Sequence, residues 1–343
     1  MKPLRAISFA TAALLIAPAL RADVTLRYKN EIKAGASATP LLQFLSKAKN
    51  PFISQSSVIQ IKGSQAYVTT GAFVTIMDFS KQLITLIDPE HKQYTTVYMK
   101  DYADQVLSIL PGGKTVAPAD AQRLADLMKT SFSSEKTGRT DTVLGIQVEE
   151  TQLTLTMDSV SPAGATPSPE AAQASPQQHL MRMVIHIWTA TPSEIERVSA
   201  LQELVKTYGS DTNAVMNPDG IMEKTFSQFP GMGADFTKMM DELAKTKAVT
   251  LKSEIEIYSP MLVNALKSTP QDGQTAHPDV DPEAPLMEIH MDAVELSAAP
   301  IADSLFEVPD DCHVTTVPDF LHALIPSPNQ SPSGQAAVDA PTQ

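Results

Sequence analysis

The chain has 343 residues and carries 26 Lys and Arg against 39 Asp and Glu, a formal net charge of −13. Such a surface repels nucleic acid, whose binders need clustered Lys and Arg, and it repels anionic membrane surfaces. Cys312 is the one cysteine, so no disulfide is available and stability has to come from a hydrophobic core.

Residues 1–22 read as a cleaved secretion signal. Lys2 and Arg5 precede an apolar run from Ile7 to Ile16, Pro18 follows, and Ala22 suits the −1 position of a cleavage site. The run is too short to cross a hydrocarbon core of about 30 Å, which takes about 20 apolar residues. No cysteine follows it, so no N-terminal lipid anchor is expected. The expectation is an exported protein, periplasmic or secreted, with no stable membrane anchor. Without Lys2, Arg5 and Arg21, 23 basic residues face 39 acids, a net charge of −16.

Val24 to Lys33 alternates apolar and polar positions, as a half-buried antiparallel strand does. Ala36 to Lys47 has weak helical spacing. Ser57–Ile61, Gln65–Thr70, Ala72–Phe79, Leu83–Asp88 and Gln93–Met99 form a meander of short strands. Turns at Lys62-Gly63-Ser64, Ser80-Lys81 and Pro89-Glu90-His91-Lys92 divide it. Tyr102–Leu110 and Pro118–Lys129 predict helices, and Phe132–Thr137 and Ile146–Met157 predict strands. Ser159 to Gln178 is a Pro-rich loop without hydrophobic period. His179–Ala190 is the strongest strand, with Met181, Met183, Ile185 and Ile187 on one side and Arg182, Val184, His186 and Trp188 on the other. Thr191-Pro192-Ser193-Glu194 has the spacing of a capping box opening a helix to Tyr208. Asp219–Phe229 and Ala234–Lys245 predict further helices. Val249–Tyr258 and Leu286–Leu296 predict strands, and Val317–Leu324 a last helix.

About ten strands with helices between runs of them predict an α+β fold built on an antiparallel sheet. A single domain is expected over 23–325, with Pro-rich loops at 159–178 and 269–285 and a disordered tail at 326–343.

Several segments in this order resemble uncharacterised exported bacterial domains distantly similar to the LolA/LolB-like lipoprotein-carrier superfamily. They are the first strand directly after the signal, the hairpin around Asp78 and Leu86-Ile87-Asp88-Pro89. Tyr94 to Met99, Lys136-Thr137-Gly138-Arg139 running to Leu144-Gly145-Ile146, and Ala302 to Pro309 complete the set. The resemblance implies a strongly curved antiparallel half-barrel with helices covering its concave face, and a cavity that takes acyl chains. The chain departs from the carriers in its length, its two Pro-rich insertions and its lack of a lipid-anchored cysteine. No binding residue transfers by motif.

Methionine enrichment marks the candidate ligand cavity: ten of the 15 methionines fall between 181 and 291. The candidates are Met181, Met183, Ile185 and Ile187 on one strand face, Met222 and Phe226, Met239 and Met240 on helix sides, and Met287, Ile289 and Met291 on a second strand. Flexible thioethers adapt to ligands of varied shape; the same stripes also suit a filled core. Arg182, His186 and Trp188 suit either a cavity mouth or a solvated face. No two histidines have metal-ligand spacing, and no His-Glu-x-x-His is present, so no metal or cofactor is expected. Asp279, Asp281 and Glu283 alternate like a calcium loop but lack its glycine and final acid. Gly112-Gly113-Lys114-Thr115 lacks the first glycine of a phosphate loop, and Glu149 and Glu150 point to opposite faces of a strand. Cys312 lies among acids that raise a thiol pKa and reads as structural. The function expected is non-catalytic binding of an amphiphile, with a lipid or lipoprotein acyl chain as partner. The alternative is an envelope module that binds another protein without a small ligand.

Overall fold

The computed structural model describes residues 23–35, 55–71, 73–109, 127–159, 179–208, 249–261 and 284–324, with single positions at 235, 237–239, 241–242, 263 and 281. The signal at 1–22, the segments predicted as helices at 36–47 and 219–229, Met222, Phe226 and Met240 lie outside them. So do the tail at 326–343, Gly112 to Thr115 and most of both Pro-rich loops.

Among the described residues, twelve strands form one sheet. In chain order they are β1 (Val24–Ala34), β2 (Ser56–Lys62), β3 (Gln65–Thr70), β4 (Phe73–Asp78), β5 (Leu83–Asp88), β6 (Gln93–Tyr98), β7 (Met128–Val143), β8 (Ile146–Ser159), β9 (His179–Ala190), β10 (Thr250–Tyr258), β11 (Met287–Ser297) and β12 (His313–Val314). Among the described residues, the α-helices with both ends defined are α1 (Met99–Ile109), α2 (Pro192–Arg197), α3 (Ser199–Tyr208) and α4 (Val317–Leu324). The spatial order is β12-β6-β5-β4-β3-β2-β1-β11-β10-β9-β8-β7, an open sheet with β12 and β7 at its edges. Every pairing is antiparallel except the two-residue β12 beside β6. The Pro-rich stretch after Ser159 connects β8 and β9, which are antiparallel neighbours from Val148↔Ala190 to Asp158↔His179.

Three sequence expectations change. The strand count rises because β12 is too short to carry an alternation. The helix expected up to Lys129 does not reach it, since Met128 and Lys129 pair with Ser159 and Asp158 in β7–β8. β7 continues through Gly138, where a register irregularity between Lys136 and Thr140 absorbs the glycine at φ 72°. Third, the helix after Pro192 breaks at Val198, which is extended at φ −106° and ψ 109°. The break leaves α2 with no buried residue and lets α3 sink Ala200, Leu201 and Leu204 into the core. The Thr191 capping box does not form. Thr191 Oγ1 meets Ser193 Oγ at 3.1 Å, and Glu194 accepts from Arg197 Nε at 2.9 Å, a charge-assisted bond that outcompetes a neutral cap.

Two hairpins reuse one turn. Asp78 Oδ1 accepts the backbone N–H groups of Ser80 and Lys81, and Asp88 Oδ1 accepts those of Glu90 and His91. Each loop ends in a left-handed residue, Gln82 at φ 55° and Lys92 at φ 52°. Burial works to raise the Asp78 pKa, but hydrogen bonds from Ser80 and Lys81 outweigh it and hold the carboxyl below its usual range.

The main core gathers Val24, Leu26 and Tyr28 of β1 with Leu201 and Leu204 of α3, Leu251 of β10 and Phe320 of α4. Phe73 and Phe320 rings lie 6.1 Å apart. Burial pushes the Tyr28 phenol well above its usual value, and its hydroxyl donates to the Thr250 carbonyl at 2.7 Å. A separate cluster, described below, lies on β7–β9.

The β7–β8 loop is the two residues Leu144 and Gly145, both left-handed at φ 52° and 74°. Two-residue hairpins favour that conformation, but leucine does not. Leu144 is 45% exposed and so contributes little packing in return. Leu144→Asn is expected to raise stability by about 0.5–1 kcal/mol, read as a Tm increase of roughly 2 °C in thermal denaturation.

Candidate functional site

Paired residues of neighbouring strands share a face, so the registers locate each candidate. Leu153, Ile185, Ile255, Ile289 and Ile32 form one row across β8, β9, β10, β11 and β1. Phe132, Leu155, Met183, Ile257, Met287 and Ala34 form the next, reaching β7. Ile187, Ser253, Met291 and Asn30 form a third on the same face, and Met157 pairs with Met181 beyond the second. Of the candidates, Met181, Met183, Ile185, Ile187, Met287, Ile289 and Met291 therefore lie together. Most are half-buried.

Met239 joins them. It is buried with Leu153, Leu155 and Ile187, and Phe132, Met157, Met181, Met183 and Ile185 pack around them. Thr130, two residues before Phe132 on β7, donates to Asp235 at 2.7 Å and ties the helical segment bearing Met239 to this face. Burial disfavours the charged Asp235 carboxyl, yet Lys238 and Thr130 hold its pKa down. The reading from methionine content missed Leu153, Leu155, Ile255, Ile257 and Ile32, whose signal was plain strand alternation. One polar atom stands out: Asn30 Oδ1 is buried and lacks a hydrogen-bond partner among the described residues.

The opposite face is polar over most of β8–β11 and joins the main core at Val148, Trp188 and Ala190. Glu150 is fully buried there and accepts from Thr137 Oγ1 at 2.5 Å, from Arg139 and from His186 Nδ1 at 2.7 Å. Burial pushes its pKa up, but Thr137, His186 and Arg139 outweigh that and keep it below the usual carboxylate range. Trp188 belongs to the main core at 7% exposure, which corrects its reading as part of a solvated face. Lys252 lies 4.6 Å above its ring and reaches Asp141 at 2.9 Å. Arg182 lies 4.1 Å over the Tyr258 ring, and the Tyr258 hydroxyl donates to Glu256 at 2.6 Å. Burial, then Glu256, push the Tyr258 phenol up to about 12. Further across this face His290 stands between Glu254 and Glu288.

A cleft of about 820 Å³ opens where β7–β9 meet α2. Lys136, Thr140, Glu149, Thr151, Glu196 and Glu242 are among its lining, and none of the cavity candidates is. Glu149 is exposed while Glu150 is buried, as their alternation on β8 requires. Cys312 is a free thiol that burial, then Asp311, push up.

Comparison with known proteins yields no matching family model and no matching curated protein.

Removing the Glu150 carboxylate strands three partners, Thr137, Arg139 and His186. Glu150→Leu is expected to cost about 3 kcal/mol, the lower end for a broken buried pair because Arg139 can turn to solvent. Because the folded pKa is lowered, the stabilisation is present above the unfolded value of about 4.3 and is lost as pH falls through the folded one. Urea titrations of wild type and variant between neutral pH and pH 3 should therefore converge as the pH falls.

Proposed function

We propose that the protein is an exported, non-catalytic binding protein for an amphiphilic or lipidated ligand. The observation that supports this is the half-buried apolar face that crosses β7–β11 and β1. It gathers a cluster separate from the main core, with a helical segment laid on it through Met239. In this reading the sheet curves around that face as a half-barrel, helices cover the concave side, and the resemblance to the lipoprotein carriers extends to function. Export follows from residues 1–22, and the domain spans 23–325.

The energetic logic needs no special chemistry. Each methylene removed from water contributes about 0.8 kcal/mol, so an acyl chain lying along Met183, Ile185, Ile257 and Ile289 is held by burial alone. Thioethers at Met181, Met183, Met239 and Met287 accommodate chains of different length. Asn30 Oδ1 supplies an unpaired acceptor at the Met291 end of the face for a ligand donor.

A second reading, an envelope module that binds another protein, draws on β7. It is a 16-residue edge strand whose outer side pairs with no other strand among the described residues, the arrangement that strand addition uses.

Titration of the purified full chain with a fluorescent fatty acid separates the two. Met183→Asp is expected to weaken binding at least tenfold, since a carboxylate would desolvate against the acyl chain. Val184→Asp, one residue away on the opposite face, should leave it unchanged. Absence of binding by wild type, together with no lipid mass in native mass spectrometry of protein from envelope extract, would sink the lipid reading and favour the protein partner.

A further inference from the structure

We propose that Glu254, Glu288 and His290 bind a single divalent transition-metal ion on the polar face of β10 and β11. The site is independent of the amphiphile reading, because Ile255, Ile257 and Ile289 between these residues point to the other side of the sheet.

The register builds the site. Glu254 of β10 is the direct cross-strand neighbour of His290 of β11, and Glu288 lies two residues before His290, on the same face. One donor atom from each residue lies within 4.8 Å of the others. His290 Nδ1 is 3.7 Å from Glu254 and its Nε2 is 3.2 Å from Glu288. Tetrahedral ligands at about 2.0–2.2 Å from an ion stand roughly 3.4 Å apart, so these separations already approach those of a bound set. One imidazole nitrogen and the two carboxylates then take the ion, and the carboxylate facing the other nitrogen swings about its side-chain torsions.

Charge supplies the second argument. Glu254 and Glu288 are half-buried at 27% and 30% side-chain exposure. Among the described residues, neither carboxylate has a Lys or Arg within ion-pair distance. Other carboxylates of this face are matched: Glu150 by Arg139 and Asp141 by Lys252. Here the neighbours add negative charge instead, with Glu256 opposite Glu288 and Glu31 opposite His290. Lys33, opposite Glu288, is turned to Glu31 at 3.9 Å. Two carboxylates therefore converge on one imidazole with no fixed cation to balance them, and a dication supplies that charge.

The donor set selects the ion. One nitrogen and two oxygens suit zinc and its first-row neighbours. Calcium wants six to eight oxygens and magnesium a near-octahedral oxygen shell, and neither is offered here. Three protein ligands leave a coordination position open.

The test uses the full chain, stripped with a chelator and titrated calorimetrically with ZnCl2, CaCl2 and MgCl2. The expected result is saturable binding of one Zn2+ per chain, with no comparable binding of Ca2+ or Mg2+. Glu254→Gln, Glu288→Gln and His290→Asn should each weaken it more than about tenfold, a loss that even a partner of a metal ligand causes. Glu295→Gln, which touches only the exposed Arg27 pair, should not. Should a variant fail to fold, electron paramagnetic resonance of the Cu2+-loaded wild type reads the site directly, with coupling to one imidazole nitrogen expected. No saturable Zn2+ binding, wild-type affinity in the folded variants, or Cu2+ coupling to no nitrogen or to several would overturn the proposal.

Discussion

The pairing of β1 with β11 is the constraint on which the sheet depends. β1 lies in the middle, with β2 on one side and β11 on the other. Its ladder with β11 runs from Thr25↔Ser297 to Ala34↔Met287, joining segments about as far apart in sequence as the fold allows. It is the single seam between β2–β6 with β12 and β7–β11. Closing so long a loop costs entropy before any contact repays it. The start of β1 is accordingly clasped. Asp23 accepts the Ile301 N–H at 2.6 Å, and Lys62 donates to the Ile301 carbonyl at 2.5 Å and reaches Asp303 at 2.8 Å. Arg27 reinforces the seam through Glu295 at 3.0 Å.

That seam carries both faces across the junction. Ile32 continues the row Leu153, Ile185, Ile255 and Ile289, and Glu31 continues the row His186, Glu254 and His290. Irregularities in the ladder are placed where they do not exchange the faces within these rows. The bulge between Thr250 and Lys252 directs Leu251 into the main core, fully buried. The irregularity between Arg27 and Tyr28 leaves Val294 on the outside at 46% exposure. Each extra residue lies toward one end of the ladders, away from Ile255 and Ile289, and the alternation between stays intact.

Strand content was legible because period-2 alternation and turn residues are local signals. Gln65–Thr70, Leu83–Asp88 and His179–Ala190 match their expected limits to the residue. The failures are also physical. Thr191-Pro192-Ser193-Glu194 and Thr316-Val317-Pro318-Asp319 share one spacing. Only the second closes, with Thr316 Oγ1 donating to Asp319 at 2.7 Å and accepting the Asp319 N–H at 3.2 Å. The difference is Arg197, one turn on, which takes the Glu194 carboxylate. Charge constellations were illegible for another reason. Glu150 and His186 are 36 residues apart, and Glu254 and His290 are likewise joined by register alone. Metal-ligand spacings read along one helix or loop cannot see donors contributed by neighbouring strands.

The two faces are coupled by that same register. In β9, β10 and β11 a residue of the apolar row is the immediate chain neighbour of a residue of the polar one: Ile185 of His186, Ile255 of Glu254, Ile289 of His290. A slip of one residue would carry Glu254 and His290 onto the apolar face and Ile255 and Ile289 onto the polar one, at a desolvation cost far above any gain. The apolar face therefore fixes the geometry of the charged one. It does so most firmly at β9, where Ile187 and Met239 are buried on one side and Trp188 and Glu150 on the other. A strand held from both sides in this way keeps His186 on Glu150 and, one strand further, Glu254 opposite His290. The polar face is thus preorganised by packing on both sides of the sheet.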